Sequence, residues 1–301
     1  MTSDPARPFG RVLTAMVTPL AEDGSIDLSG AQELAAHLVD RQAHDGLVVL
    51  GTTGEAPTIS DGEQHAVLEA VMDAVGDRAV VVAGVGTNDT AHSVDRARSA
   101  ERLGVHGLLV VTPYYNKPPQ SGLLRHFTTV ADSTDLPVML YDIPVRSGRK
   151  ISHDVMVRLA LDVPNLAGVK DAAADVAATA RLLAAVPDRF EVYSGNDDHT
   201  LALVALGAVG VVGVATHWCG PEMAELIAAV GKGDLAHARE VNGRLLESYL
   251  FETGDAAPNP IPAKAMMRTL GVAVGECRLP MGAAPDGLED RAREVYANLH
   301  A

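Results

Sequence analysis

The sequence predicts a (β/α)8 barrel followed by a small helical C-terminal region, and three observations carry that reading. Eight short, β-branched apolar runs alternate with segments of helical spacing. Each run is apolar almost throughout, as strands are when both faces of a parallel sheet are covered. Their ends lie 33, 33, 27, 30, 29, 24 and 20 residues apart, and every gap has room for a crossover helix and the next strand. A doubly wound open sheet fits less well, because it carries fewer strands and a glycine fingerprint after its first.

In order, the runs are 12–18, 46–51, 79–84, 107–111, 137–141, 166–170, 190–194 and 210–214. Leu28, Ala31, Leu34, Ala35, Leu38 and Val39 form one apolar stripe between the first two. Ser60-Asp61-Gly62-Glu63 matches a capping box ahead of the stripe Val67, Leu68, Val71, Met72 and Val75. The longest apolar stretch, 201–215, falls short of the roughly 18 residues of a membrane span. Its glycines 207, 210 and 213 predict a buried helix end running into the eighth strand. With about ten to fifteen residues for the last barrel helix, the barrel takes residues 1–232 and the C-terminal region 233–301. Leu235, Ala238, Val241, Leu245 and Leu246 give that region helical spacing, and Pro258-Asn259-Pro260-Ile261-Pro262 reads as a rigid connector.

Composition narrows the function. A chain of 301 residues that is 47% hydrophobic can bury a large core. A net charge of −15 argues against nucleic acid or an anionic membrane as partner, since both need clustered Lys and Arg. The expectation is a soluble cytoplasmic protein with a small-molecule substrate. Cys219 and Cys277 make neither a disulfide framework nor a Cys-x-x-Cys pair. The apolar stretch of the N-terminal segment is short and broken by Pro19, which does not suit a signal peptide. Eleven histidines include no metal-binding pair, so no metal is expected. Gly84-Val85-Gly86 begins like a dinucleotide loop but lacks the third glycine, which argues against a nicotinamide or flavin cofactor.

In a barrel of this kind the chemistry sits at the C-terminal strand ends. Lys170 closes the run Leu166-Ala167-Gly168-Val169, and Tyr141 closes the strand before it. Side chains on consecutive strands meet across the barrel mouth, which gives the amine a proton partner. An ordinary lysine is neutral in roughly one part per thousand at neutral pH; burial disfavours the charged form and recovers most of that factor. The chemistry implied is a Schiff base with a substrate ketone. Gly51-Thr52-Thr53-Gly54-Glu55 offers N–H groups and hydroxyls for a small carboxylate, although a turn with a helix cap would use the same residues. Thr112-Pro113-Tyr114-Tyr115-Asn116-Lys117-Pro118-Pro119 spends two of six tyrosines on one proline-stiffened loop, for function, for interface packing or for both.

At these residues the chain resembles the dihydrodipicolinate synthase family of the pyruvate-dependent Schiff-base aldolases. The likeness runs from FGRVLTAMVTPL through GTTGEAPT, GLLVVTPYYNKPPQSGL, LPVMLYDIPVRSG, GVKDA and YSGND to PNPIPAKAMM and RLPMG. It implies that Lys170 forms the imine with pyruvate, that Tyr141 passes protons, and that Thr53 links Tyr141 to Tyr115 from a neighbouring subunit. It further implies that Thr52 and Thr53 hold the pyruvate carboxylate, that Gly195 and Val212 line the pocket, and that Arg146 receives the carboxylate of aspartate semialdehyde. The smallest competent unit is then a dimer, with a homotetramer as the usual state, and no cofactor beyond the covalent imine.

Departures from the family pattern are Val145, where glycine or serine is common, Gly213, where serine is frequent, and His217-Trp218-Cys219. All fall near the expected mouth and leave open a pyruvate lyase or aldolase acting on a sugar acid, such as an N-acetylneuraminate lyase or a 2-keto-3-deoxygluconate aldolase. A guanidinium at position 146 suits a short carboxylate better than sugar hydroxyls. Asp61 and Gln64 stand where lysine-regulated members carry histidines, so weak inhibition by lysine is expected even with Tyr114, Asn88 and Glu63 retained. A ligand sensor without activity would be expected to lose part of the proton relay, whereas Lys170, Tyr141, Thr53 and Tyr115 are all present. An oxidoreductase would carry a nicotinamide or flavin.

Overall fold

The computed structural model describes residues 8–301, and the first seven residues of the N-terminal segment lie outside them. All eight apolar runs form strands: β1 (Val12–Ala15), β2 (Gly46–Val49), β3 (Val80–Gly84), β4 (Gly107–Val111), β5 (Val138–Asp142), β6 (Leu166–Asp171), β7 (Glu191–Ser194) and β8 (Gly210–Gly213). They close into a barrel in chain order, every pair parallel, with β8 back against β1. Alternation along each strand splits the apolar residues into two layers. Leu47 and Val49 join the core under the helices, whereas Val48 joins Leu13, Val82, Leu109, Met139 and Val212 inside the barrel.

Helices α1 (Leu28–Arg41), α2 (Asp61–Val75), α3 (Thr90–Arg102) and α4 (Gln120–Ala131) follow the first four strands. The stripe on α1 is buried at Ala31, Leu34, Ala35 and Leu38, while Leu28 at its edge is half exposed. The capping box forms as expected, with Glu63 accepting from the Ser60 amide at 2.8 Å and Ser60 Oγ accepting from Glu63 N at 3.4 Å. After β5 the chain makes a one-turn helix, α5 (Pro144–Ser147), before α6 (His153–Asp162). Proline starts that turn and Gly148, at φ +70°, ends it. Helices α7 (Val176–Leu183), α8 (Thr200–Ala205) and α9 (Thr216–Gly231) complete the ring. Among the described residues no helix is long and apolar enough to cross a membrane.

Beyond the barrel come α10 (Leu235–Phe251), α11 (Ile261–Thr269) and α12 (Leu288–Leu299). Helix α10 packs along α9 and α12, and α11 packs on α12 and α9. The stripe expected on α10 is buried at Ala238, Val241 and Leu245, whereas Leu235 and Leu246 are about half exposed. This region grips the turn after β2. Lys264 of α11, fully buried, pairs with the buried carboxylate of Glu55 at 2.6 Å and donates to Glu276 O at 3.0 Å. Arg278 donates its amide to Glu55 at 2.8 Å and its guanidinium to Glu63 at 2.6 Å.

Removing one partner of a buried ion pair strands the other charge. Lys264→Met is therefore expected to destabilise the fold by about 3–5 kcal/mol, read as a lower denaturant midpoint with an unchanged slope. A shift under about 1 kcal/mol would mean that Arg278 alone satisfies Glu55.

Candidate active site

Register decides which side chains meet. In-register residues of a parallel pair share a face of the sheet, and Tyr141 pairs with Lys170 across β5 and β6 while Lys170 pairs with Tyr193 across β6 and β7. Tyr141 and Tyr193 belong to the barrel interior, so Lys170 points there too. Its Nζ lies 4.5 Å from the centroid of the Tyr141 ring. The close contact inferred from consecutive strand ends is therefore present.

Both groups are buried and both titrate away from their ordinary values. Burial pulls the Lys170 ammonium down to about 8, against the attraction of Asp197 and Glu252. Burial lifts the Tyr141 phenol to about 12, partly offset by the Arg146 charge. A phenol that holds its proton beside a half-neutral amine can hand that proton over and take it back.

A cavity of about 240 Å³ opens beside Tyr141, at the small end for ligand sites and sized for small acids. Its wall includes Gly51, Thr52, Tyr114, Tyr141, Ile143 and Arg146. The Thr52 side chain, on the same wall, offsets a further part of that rise in the phenol. Thr52 lines the cavity together with Tyr141, and Thr53, the link implied by resemblance, does not line it. In the turn after β2, where Leu50 takes a φ of +60°, Thr52 faces the cavity and its neighbour Thr53 is held elsewhere. Thr53 is buried facing the C-terminal region and accepts from Asn259 Nδ2 at 2.9 Å. Arg146 rides on α5, and its Nη2 donates to Asn259 O at 3.1 Å.

Gly195 lies against the lysine stem, since a Cβ there would stand 3.0 Å from Lys170 Cγ. Val212 is fully buried inside the barrel, where β8 pairs with β1. Tyr115 is 90% exposed at φ +70°, outside the cavity to which Tyr114 contributes. The chain alone therefore brings together Lys170, Tyr141, Thr52, Arg146 and Gly195, but not Tyr115.

The three departures do not line the cavity. Val145 is 86% exposed, and His217, Trp218 and Cys219 are fully buried at the start of α9. His217 accepts from Val17 N and bonds Val214 O, and burial lowers it to about 4, so it is a neutral strut. Trp218 donates to Ser248 Oγ at 2.9 Å and ties α9 to α10. Sequence reasoning missed Asn259, whose motif read as a connector, and Asp197 and Glu252, the acidic neighbours of the lysine. Among the described residues no group of three potential metal ligands comes together.

The model of the dihydrodipicolinate synthetase family matches residues 8–298. The chain is 52% identical over 292 residues to a 4-hydroxy-tetrahydrodipicolinate synthase of Acidothermus cellulolyticus, covering 96% of this chain and 92% of the relative. It is 50% identical over 299 residues to 4-hydroxy-tetrahydrodipicolinate synthase 2 of Streptomyces coelicolor, covering 98% and 97%. Among solved structures, a dihydrodipicolinate synthase of Cyanidioschyzon merolae with lysine bound superposes with a TM-score of 0.94 at 38% identity, covering 97% of this chain and 99% of that one. With its barrel, its strand-end lysine under a tyrosine and these relatives along nearly its full length, the chain belongs to the dihydrodipicolinate synthetase family.

Proposed function

We propose that the protein condenses pyruvate with aspartate semialdehyde to give 4-hydroxy-tetrahydrodipicolinate, in the lysine and diaminopimelate branch of amino-acid biosynthesis. The observation that carries this is a buried, partly neutral lysine at a barrel strand end, stacked under a buried tyrosine. The neutral Lys170 amine attacks the keto carbon of pyruvate; the C–N bond forms and the oxygen leaves as water. Tyr141 hands over and recovers the protons of that exchange. Loss of a methyl proton turns the iminium into an enamine, which attacks the aldehyde carbon of the second substrate. Cyclisation through the substrate amine then displaces the lysine, so the protein supplies its own covalent handle and needs no added cofactor.

Thr52 and the neighbouring turn hold the pyruvate carboxylate, with Thr53 braced behind by Asn259. Gly195 leaves room for the imine beside the lysine stem, and Val212 packs the barrel beneath. Arg146, on the cavity wall, receives the carboxylate of the semialdehyde. Tyr115 completes the relay from a second copy, which its 90% exposure in one chain supports, and the working state is a dimer or a dimer of dimers.

Borohydride reduction in the presence of pyruvate is expected to fix one pyruvyl group on Lys170, found by peptide mass spectrometry and absent from Lys170→Ala. An unmodified wild-type protein that is folded overturns the mechanism. Because the amine must be neutral to attack, the rate of imine formation should rise with pH, reach half its maximum near 8, where Lys170 titrates, and level off above that. A rise continuing to about 10 would show an ordinary lysine.

Arg146→Ala should leave the pyruvate adduct in place while raising KM for the semialdehyde by about ten- to a hundredfold, the worth of one charge-assisted pairing. Equal loss for both substrates would remove Arg146 from second-substrate binding.

Inhibition by lysine is expected to be weak. Asp61 is paired with His92 at 3.0 Å, and Gln64 donates to Ala56 O and Ile59 O. Glu63 is held by Arg278, whose hydrogen bonds lower its carboxyl to about 2. Steady-state rates with lysine in the sub-millimolar range should therefore match those without it; full inhibition there would refute this reading.

A further inference from the structure

Two carboxyl groups with no part in the scheme above meet beside the catalytic lysine. Asp197 opens a short 3-10 turn after β7, and Glu252 caps the C-terminal end of α10. Val214 N donates to Asp197 Oδ2 at 2.8 Å, and the next amide, Ala215 N, donates to Glu252 Oε2 at 3.0 Å. Consecutive amides thus hold the two groups side by side. Two carboxylates side by side in a largely buried site repel each other, so the pair holds one proton between them. Asp197 Oδ1 is buried with no hydrogen-bond partner. Gly213 is what admits it, because a Cβ there would stand 2.5 Å from Asp197 Oδ1. This gives a reason for glycine where serine is frequent in the family.

We propose that Asp197 and Glu252 share one proton and act together as a single negative charge that stabilises Lys170 once it has become a cationic imine. Resting on the imine reading above, the inference adds a positioning role for two residues and moves no atoms. The C–N bond still forms on Lys170, the oxygen still leaves as water, and the proton that the iminium requires enters from solvent through Tyr141. Burial raises both carboxyls, and their mutual influence raises Glu252 while lowering Asp197, so Glu252 keeps the proton and Asp197 carries the charge. The groups that act on Lys170 are Asp197, Glu252 and Arg146 through their charges and Tyr141 through its ring. Asp198, Cys219 and Tyr249 surround the pair itself, and burial keeps the last two protonated.

Asp197→Asn keeps the shape and removes the charge, whereas Glu252→Gln keeps a neutral donor. With borohydride trapping on pyruvate as readout, Asp197→Asn should move the pH limb of imine formation about one unit acidic and lower the trapped fraction about tenfold, one pKa unit being a factor of ten. Glu252→Gln should keep the limb at its wild-type position. A purely structural role would lower amplitudes without moving the limb. A second readout needs no variant to fold. At pH 8 the wild-type infrared spectrum in D2O should show a protonated-carboxyl band, and Glu252→Gln should lack it. A wild-type protein without that band, or an Asp197→Asn profile that superposes on wild type, overturns the inference. Absence of any adduct on wild-type Lys170 overturns the imine reading instead, and the infrared band still decides the shared proton.

Discussion

Parallel closure leaves the strands no choice about which side chains share the barrel interior. Once Tyr141 faces inward on β5, its register partner Lys170 must do so on β6, and Tyr193 follows on β7. The lysine is consequently forced into an apolar interior and stacked against an aromatic ring. Burial, lowered basicity and a proton partner all come from that one constraint. A slip of one residue in the β5–β6 register would turn Lys170 toward the helices and remove the site without touching any residue in it.

The C-terminal helices extend this logic to the loops. A barrel fixes its strands well and its loops less well, and Thr52 sits on a turn whose Leu50 and Glu55 both adopt left-handed backbone. That turn is held from outside the barrel, by Lys264 and Arg278 on Glu55 and by Asn259 on Thr53. Asn259 also holds Arg146 through its carbonyl, so one residue joins the two ends of the cavity. Placing the restraint on a separate element lets the turn stay strained without being loose.

The fold was legible because both-face burial and the spacing of strand ends are one-dimensional signals. All eight runs became strands, and the capping box formed at Ser60. Lys170 and Tyr141 were legible for the same reason, as polar residues closing apolar runs. What the sequence could not convey was direction within a turn. Thr52 and Thr53 are chemically identical neighbours, yet one lines the cavity and the other is held by Asn259. Proximity in sequence misled at Val145 and His217, whose side chains point to solvent and into the helix layer. The meeting of Asp197 with Glu252 depends on how α10 docks, and no local pattern encodes that.

A buried lysine faces opposite demands at the two ends of its reaction. As a nucleophile it must be neutral, and desolvation favours that; as an iminium it is a cation in the same apolar surroundings, which desolvation penalises by the same physics. A full carboxylate held against the amine would protonate it in advance and lose the first benefit. A charge spread over two carboxyls and one proton attracts ammonium and iminium alike, and each less strongly than a full carboxylate in contact would. The lysine accordingly titrates near 8, between an ordinary ammonium and a fully desolvated one, despite two acidic neighbours. The balance between burial and that reserve of charge sets how readily the imine forms and how long it lasts.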